Sequence, residues 1–198
     1  MANTSAPFGF QQVAGLSSTP TYQNVVVPIA STNTTPIYRN DPVSVSASTG
    51  FLEQATAGTA PLAGIFAGCK YSSVSRNGQT VWSNYWPGAD AVAGSVEGYV
   101  INDPNATFLC QVSGASPVTQ ANVGENLNFA LGTGNTATGL SGASADFGTL
   151  GTTATLAFKV MGTVTTPPGQ NGTDVSTALN FIIVSFNNVL TKTLTGTA

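Results

Sequence analysis

The chain predicts an all-β fold, a sandwich or barrel of jelly-roll-like form, and three observations carry that prediction. It is rich in Thr, Val, Phe and Tyr, which fit a pleated, half-buried surface. Turn residues recur along it about every 8–12 positions, the spacing of short strands in sandwiches and barrels. No segment keeps the 3.6-residue apolar period over three helical turns.

Met1 to Asn24 is polar, marked by Pro and Gly, with scattered aromatics. It reads as an extended arm rather than a packed element. Residues 25–198 read as a single β domain, which the length of 198 residues allows. Val25-Val26-Val27-Pro28-Ile29 is a short strand, and Pro28, with no N–H to give a ladder, places it at an edge or a bulge. Asn40-Asp41-Pro42 is a turn, and Val43, Val45 and Ala47 then alternate onto one face. Phe51 to Ala60 is the best helix candidate in a chain with few, and a loop is the other reading. Leu62 to Tyr71 is a buried strand in which Gly64 and Gly68 suggest a bulge or a close backbone approach. Asn77-Gly78 is a strong hairpin signal, and Thr80 to Trp86 is the return strand, stopped by Pro87-Gly88.

Val96 to Ile101 and Thr107 to Val112 are further strands, separated by a second Asn-Asp-Pro turn at 102–104. Val123 to Leu131 alternates again. Gly132 to Thr152 is a Gly/Ala/Thr-rich stretch, read either as an exposed functional loop or as weakly alternating strands. Thr153 to Val164 places Phe158, Val160 and Val164 on one face. Thr177 to Leu190 is apolar on both faces, which predicts a central strand or one covered by a partner.

Composition removes most chemistry. There is no His, so neither a Ser-His-Asp nor a Cys-His nucleophilic site can form, nor a His-ligated metal centre. Only 7% of residues are charged, with a net charge of −3, against the clustered positive charge that nucleic-acid binding requires. The eight carboxylates are dispersed and mostly at turns, which favours solvated side chains over a glycosidase pair. Asn102-Asp103-Pro104-Asn105 is only a fragment of a calcium loop, and Gly132-Thr133-Gly134 lacks the Lys of a phosphate loop. Cys69 and Cys110 read as two small buried thiols, with a disulfide between them as the alternative. The start shows no secretory signal, and no apolar run reaches the length of a membrane helix, so a soluble protein made in a cytoplasm is expected. No enzymatic activity, cofactor or metal is expected.

Leu62-Ala63-Gly64-Ile65-Phe66-Ala67-Gly68-Cys69-Lys70-Tyr71, followed by Asn84-Tyr85-Trp86-Pro87-Gly88 and then Val100-Ile101-Asn102-Asp103-Pro104, resembles a group of tailed-bacteriophage capsid decoration, or cement, proteins. The shared pattern is an aliphatic-Phe-x-Gly-Cys-x-Tyr strand, a Trp-Pro hairpin end and a strand closing in Asp-Pro. It covers Leu62 to about Gln111, a quarter of the chain, and includes no catalytic residue.

The resemblance implies a small jelly-roll or barrel-like protein, a homotrimer on the exterior of the virion capsid. There it would bridge subunits of the major capsid protein, with no nucleic-acid or membrane partner. Phe66, Tyr71, Trp82, Tyr85 and Trp86 are the expected core or subunit-interface residues. Phe8, Phe10 and Tyr22 of the arm, with the 132–152 segment, are the expected capsid contacts. A tail- or fibre-type module that recognises a host glycan through exposed aromatics and Asn/Asp is the alternative. The shell-forming coat protein itself fits less well, because its usual tailed-phage fold is longer and carries long helices.

Overall fold

The computed structural model describes residues 2–15, 19–20 and 23–192. Twelve strands follow in order: β1 (Gln11–Ala14), β2 (Val25–Pro28), β3 (Pro42–Val45), β4 (Leu52–Gln54), β5 (Gly64–Ser72) and β6 (Thr80–Ser83), then β7 (Glu97–Ile101), β8 (Thr107–Ser113), β9 (Asn126–Ala130), β10 (Ser144–Gly151), β11 (Phe158–Thr163) and β12 (Phe181–Phe186). The helical content among these residues is one 3₁₀ turn at Gln120–Asn122. The all-β expectation holds.

Five strands close on themselves in the order β8-β10-β9-β11-β12, with β12 returning to β8. Their mutual pairings are antiparallel except β8 with β10. Closure leaves these strands without a free edge. Alternation fills the interior: Phe108, Cys110 and Val112 from β8, Leu127 and Phe129 from β9, Phe158 and Val160 from β11, and Ile182, Val184 and Phe186 from β12. The rings pack edge-on or in parallel, Phe108 against Phe186 and Phe158 against Phe186. Each such ring contributes about 1.5–3 kcal/mol by leaving water. β12 is a central strand, as its two apolar faces predict.

The second sheet runs β2-β7-β5-β3-β4, with β6 added to β5. β2, which ends in Pro28, is an edge strand, as expected. β5 serves two cores. Ile65 packs in the barrel cluster, whereas Phe66, Cys69 and Tyr71 pack in a second cluster with Ile37, Trp86 and Val100. Strict alternation would put Phe66 and Cys69 on opposite faces. A bulge between Phe66 and Gly68, against β7, resets the alternation and brings them together. Gly64 lies tight against the end of β7: a Cβ there would collide with the Ile101 carbonyl oxygen, and its φ is +150°.

Two expectations need correction and one is sharpened. Phe51 to Ala60 is neither helix nor plain loop: it opens with β4, hairpin-paired to β3 through Ser46 and Phe51, with Leu52 buried and Glu53 exposed. The 132–152 stretch divides. Its first half is a loop whose glycines let backbones pass closely, and its second half is β10, inserted between β8 and β9.

The N-terminal segment is extended but not a free arm. β1 pairs with β8, and Phe10 is fully buried in parallel contact with Phe158, centroids 4.4 Å apart. Gln111 on β8 fixes the preceding residues, accepting from the Ala6 amide at 2.8 Å and donating to the Thr4 carbonyl at 2.9 Å. Asn3 is held by Asp174, Ala178 and Gly172. A polar segment with a single deep anchor escapes a search for apolar periodicity.

Candidate functional site

The hairpin β5–β6 and its neighbour β7 turn one face toward the second core and the other toward solvent. The inward face holds three of the aromatic residues expected in core or interface. Phe66 and Trp86 are fully buried and Tyr71 nearly so. Tyr71 and Trp86 meet edge-to-face at 5.3 Å, and the Trp86 indole N–H donates to the Asn33 carbonyl at 3.1 Å. The resemblance motif therefore builds a scaffold.

Trp82 does not join them. It is 69% exposed, on the outward face. The reason is local. β6 ends at Ser83, whose hydroxyl donates to the Tyr85 carbonyl at 2.6 Å and accepts from the Tyr85 amide at 3.2 Å. This Ser turn interrupts the alternation, so Trp82 and Trp86, four residues apart, point to opposite sides. Tyr85, half-buried, lies parallel to Tyr38 with centroids 5.5 Å apart.

Register places Trp82 opposite Lys70 on β5, and Lys70 opposite Glu97 on β7. The Trp82 ring lies parallel to Tyr99, at 5.8 Å and an interplanar angle of 2°. Lys70 Nζ sits 5.5 Å from the Trp82 ring centroid and 2.8 Å from Glu97 Oε2. The Tyr99 hydroxyl donates to the same carboxylate oxygen at 3.3 Å. The hydrogen bond to Glu97 holds the Lys70 ammonium above its ordinary value, and the reciprocal bond holds the Glu97 carboxyl below its own. Val26 on β2 stands opposite Tyr99 and is also exposed. The site is thus an aromatic strip over an internally neutralised ion pair.

Trp82, Ser83 and Asn84 form a ridge between two clefts. One, about 390 Å³, is walled by Tyr99 and Asn24. The other, about 270 Å³, is walled by Tyr85 and by Thr136 and Thr138 of the loop before β10. Neutral amides and hydroxyls supply the polar groups of both.

The expected capsid contacts are scattered. Phe10 is a core residue, correcting its placement on a contact surface. Phe8 is half-buried, edge-on to Phe181 at 5.6 Å. Tyr22 lies outside the described residues. Sequence reading missed Lys70, Glu97 and Tyr99, which come together only through strand register. The Asn-Gly turn could have found the first pairing, but its arithmetic misleads. A two-residue loop would set Trp82 against Ser73. The observed loop is longer: Ser73 bonds Gln79, while Asn77 and Gly78 both take positive φ within it.

Cys69 and Cys110 are free and buried. Burial pushes the Cys69 thiol up to about 12 and the Cys110 thiol higher still. Among the described residues no three Cys, Asp or Glu side chains are grouped to hold a metal ion, and no helix is long and apolar enough to cross a membrane.

No protein-family model matches the chain, and it has no significant match to a curated protein or a solved structure.

Proposed function

We propose that this protein is a structural component of a phage virion that decorates and stabilises the capsid exterior, bridging neighbouring major capsid subunits as a homotrimer. One observation carries the reading: the residues of the decoration-protein resemblance, Phe66, Gly68, Cys69, Tyr71 and Trp86, converge on the scaffold of one sheet rather than on a reacting group. What the pattern specifies in this chain is a shape.

Physical chemistry supports the role. Few charged groups mean little charge desolvation when surfaces are buried against a protein partner. Three linked contacts in a trimer raise avidity well above single-site affinity. The contact is assigned to Phe8 and its neighbours in the N-terminal segment and to the loop at 132–143, whose exposed residues 135–138 carry neutral hydrogen-bonding groups. A segment already seated on β8 contributes to such a contact without first being ordered.

The test is reconstitution. Heads lacking the polypeptide should bind purified protein on co-sedimentation, in multiples of three, and light scattering should give a solution mass three times the 20.0 kDa chain. Failure to bind heads, together with virions devoid of the polypeptide by mass spectrometry, would remove the proposal.

A further inference from the structure

We propose that the Trp82–Tyr99 face binds a neutral oligosaccharide, lying across the Trp82-Ser83-Asn84 ridge with one sugar ring stacked on the Trp82 indole. The inference goes beyond the decoration role and does not depend on it.

Exposure of Trp82 is the first argument. An indole left 69% open to water on a paired strand forgoes the burial that a core position would give. With Lys70 and Tyr99 disposed around it, the ring still keeps a large open surface. Aromatic faces are electron-rich, and the axial C–H groups of a pyranose present a flat, weakly positive patch that fits one.

Charge selects the ligand class. Lys70 is the cation at this site, and it is paired to Glu97 at 2.8 Å, so an anionic ligand finds no free counter-charge there. A cationic ligand would compete with the ammonium already 5.5 Å from the ring centroid. A neutral ligand meets neither obstacle.

The clefts supply the rest. Sugar hydroxyls need directional donors and acceptors at a few points around an apolar platform, the usual design of a small-molecule site. Asn84 offers them on the ridge itself, Asn24 on one side of it, and Thr136 and Thr138 on the other. Two clefts sharing one aromatic wall suit a chain of sugars better than a single ring. The apolar strip, Val26, Tyr99 and Trp82, is narrow for a stable protein interface, which needs about 800 Å² on each partner.

Tryptophan fluorescence tests the proposal directly, because Trp86 is fully buried and Trp82 is the ring a ligand can touch. The probes are oligomers of glucose, galactose and N-acetylglucosamine. A saturable emission change, with half-saturation of order 1 mM, is expected with at least one of them. W82A removes the reporter, so binding by the variants is read by calorimetry. W82A and N84A should weaken it by about tenfold or more, and W82F by less. All three alter exposed or half-exposed positions, and unchanged circular dichroism and melting would show the fold intact.

Silence from every oligosaccharide overturns the proposal, as does W82A binding sugar as well as the parent. Loss of head binding by W82A without any sugar response would reassign the face to the capsid and overturn it too. Sugar binding by a protein that fails to bind heads would leave this proposal standing and remove the decoration role.

Discussion

The Ser141 hydroxyl donates to the Asp41 carboxylate across 100 residues of sequence, joining the loop before β10 to the turn before β3. Asp41 is 1% exposed and also accepts from the Tyr38 amide and the Gln54 side chain, each at 2.8 Å. Its own carbonyl accepts from the Phe66 amide at 2.9 Å. One carboxylate thus organises the junction between the barrel and the second sheet. At the sequence level Asp41 is only the middle of an Asn-Asp-Pro turn; its burial depends on chain segments far away.

Removing this carboxylate should cost more than neutralising it. D41A strands three donors and should destabilise by about 2–4 kcal/mol, with S141A nearer 1–2 kcal/mol. Burial raises the Asp41 pKa in the folded state above its ordinary 3.8. The folded protein therefore holds this proton more tightly than the unfolded chain, so the Asp41 contribution to stability declines as pH rises from about 3.8 through the higher folded value. Asp90, Glu97 and Asp174 are shifted the other way and oppose it. Urea melts of the parent and D41N across that range isolate the term: their stability difference should move in favour of D41N as pH rises. A difference independent of pH would contradict it.

Phe10 is predicted to be a keystone although it lies ten residues from the start. F10A removes a fully buried ring from the stack on Phe158 and should cost about 3–5 kcal/mol. F8A removes a half-buried edge contact and should cost markedly less. Denaturant melts of the two variants measure the contrast, and equal small losses would return this segment to the status of a loose arm.

Local alternation and turn chemistry made the strands legible. Phe108-x-Cys110-x-Val112 shows its buried face in the letters alone, whereas the last strand is apolar on both faces and only the fold turns Ile182, Val184 and Phe186 into the barrel. Pro28 marked an edge strand for the reason stated: it has no N–H to give. What escaped was set by register. β10 is poor in strand formers and is a strand because β8 and β9 flank it. The Trp82, Lys70, Glu97 and Tyr99 constellation spans three strands, so no sequence spacing contains it. Trp82 and Trp86 look like partners on one face until the Ser83 turn parts them.

Two chemically identical substitutions should differ sharply. At Gly64 a Cβ meets the Ile101 carbonyl oxygen and the Val100 side chain, while the backbone holds φ +150°. At Gly78 nothing lies within 4 Å, and only the positive φ of +80° opposes a side chain. G78A should cost about 1 kcal/mol. G64A must part β5 from β7 and should cost several times that or prevent soluble expression. Comparable midpoints in thermal melts would contradict the close approach.

The two thiols should report on different openings of the molecule. With its thiol pushed up to about 12, Cys69 is thiolate in only about one part in ten thousand at pH about 8, and Cys110 less still. Neither should react with an aromatic disulfide reagent in the native protein on mixing, and both should react at once in strong denaturant. Between these limits the sites diverge. Cys69 pairs with Ser83 at the end of β6, a strand joined to the sheet through β5, so fraying of β6 exposes it. Cys110 is fully buried on β8, inside the closed barrel, and is reached only when the barrel itself opens. Low denaturant should therefore leave the C69S variant, which retains Cys110, labelling at the global unfolding rate, while C110S labels faster. Equal rates would mean that β6 and the barrel open as one unit. Rapid native-state labelling of Cys110 would be incompatible with closure of β12 onto β8.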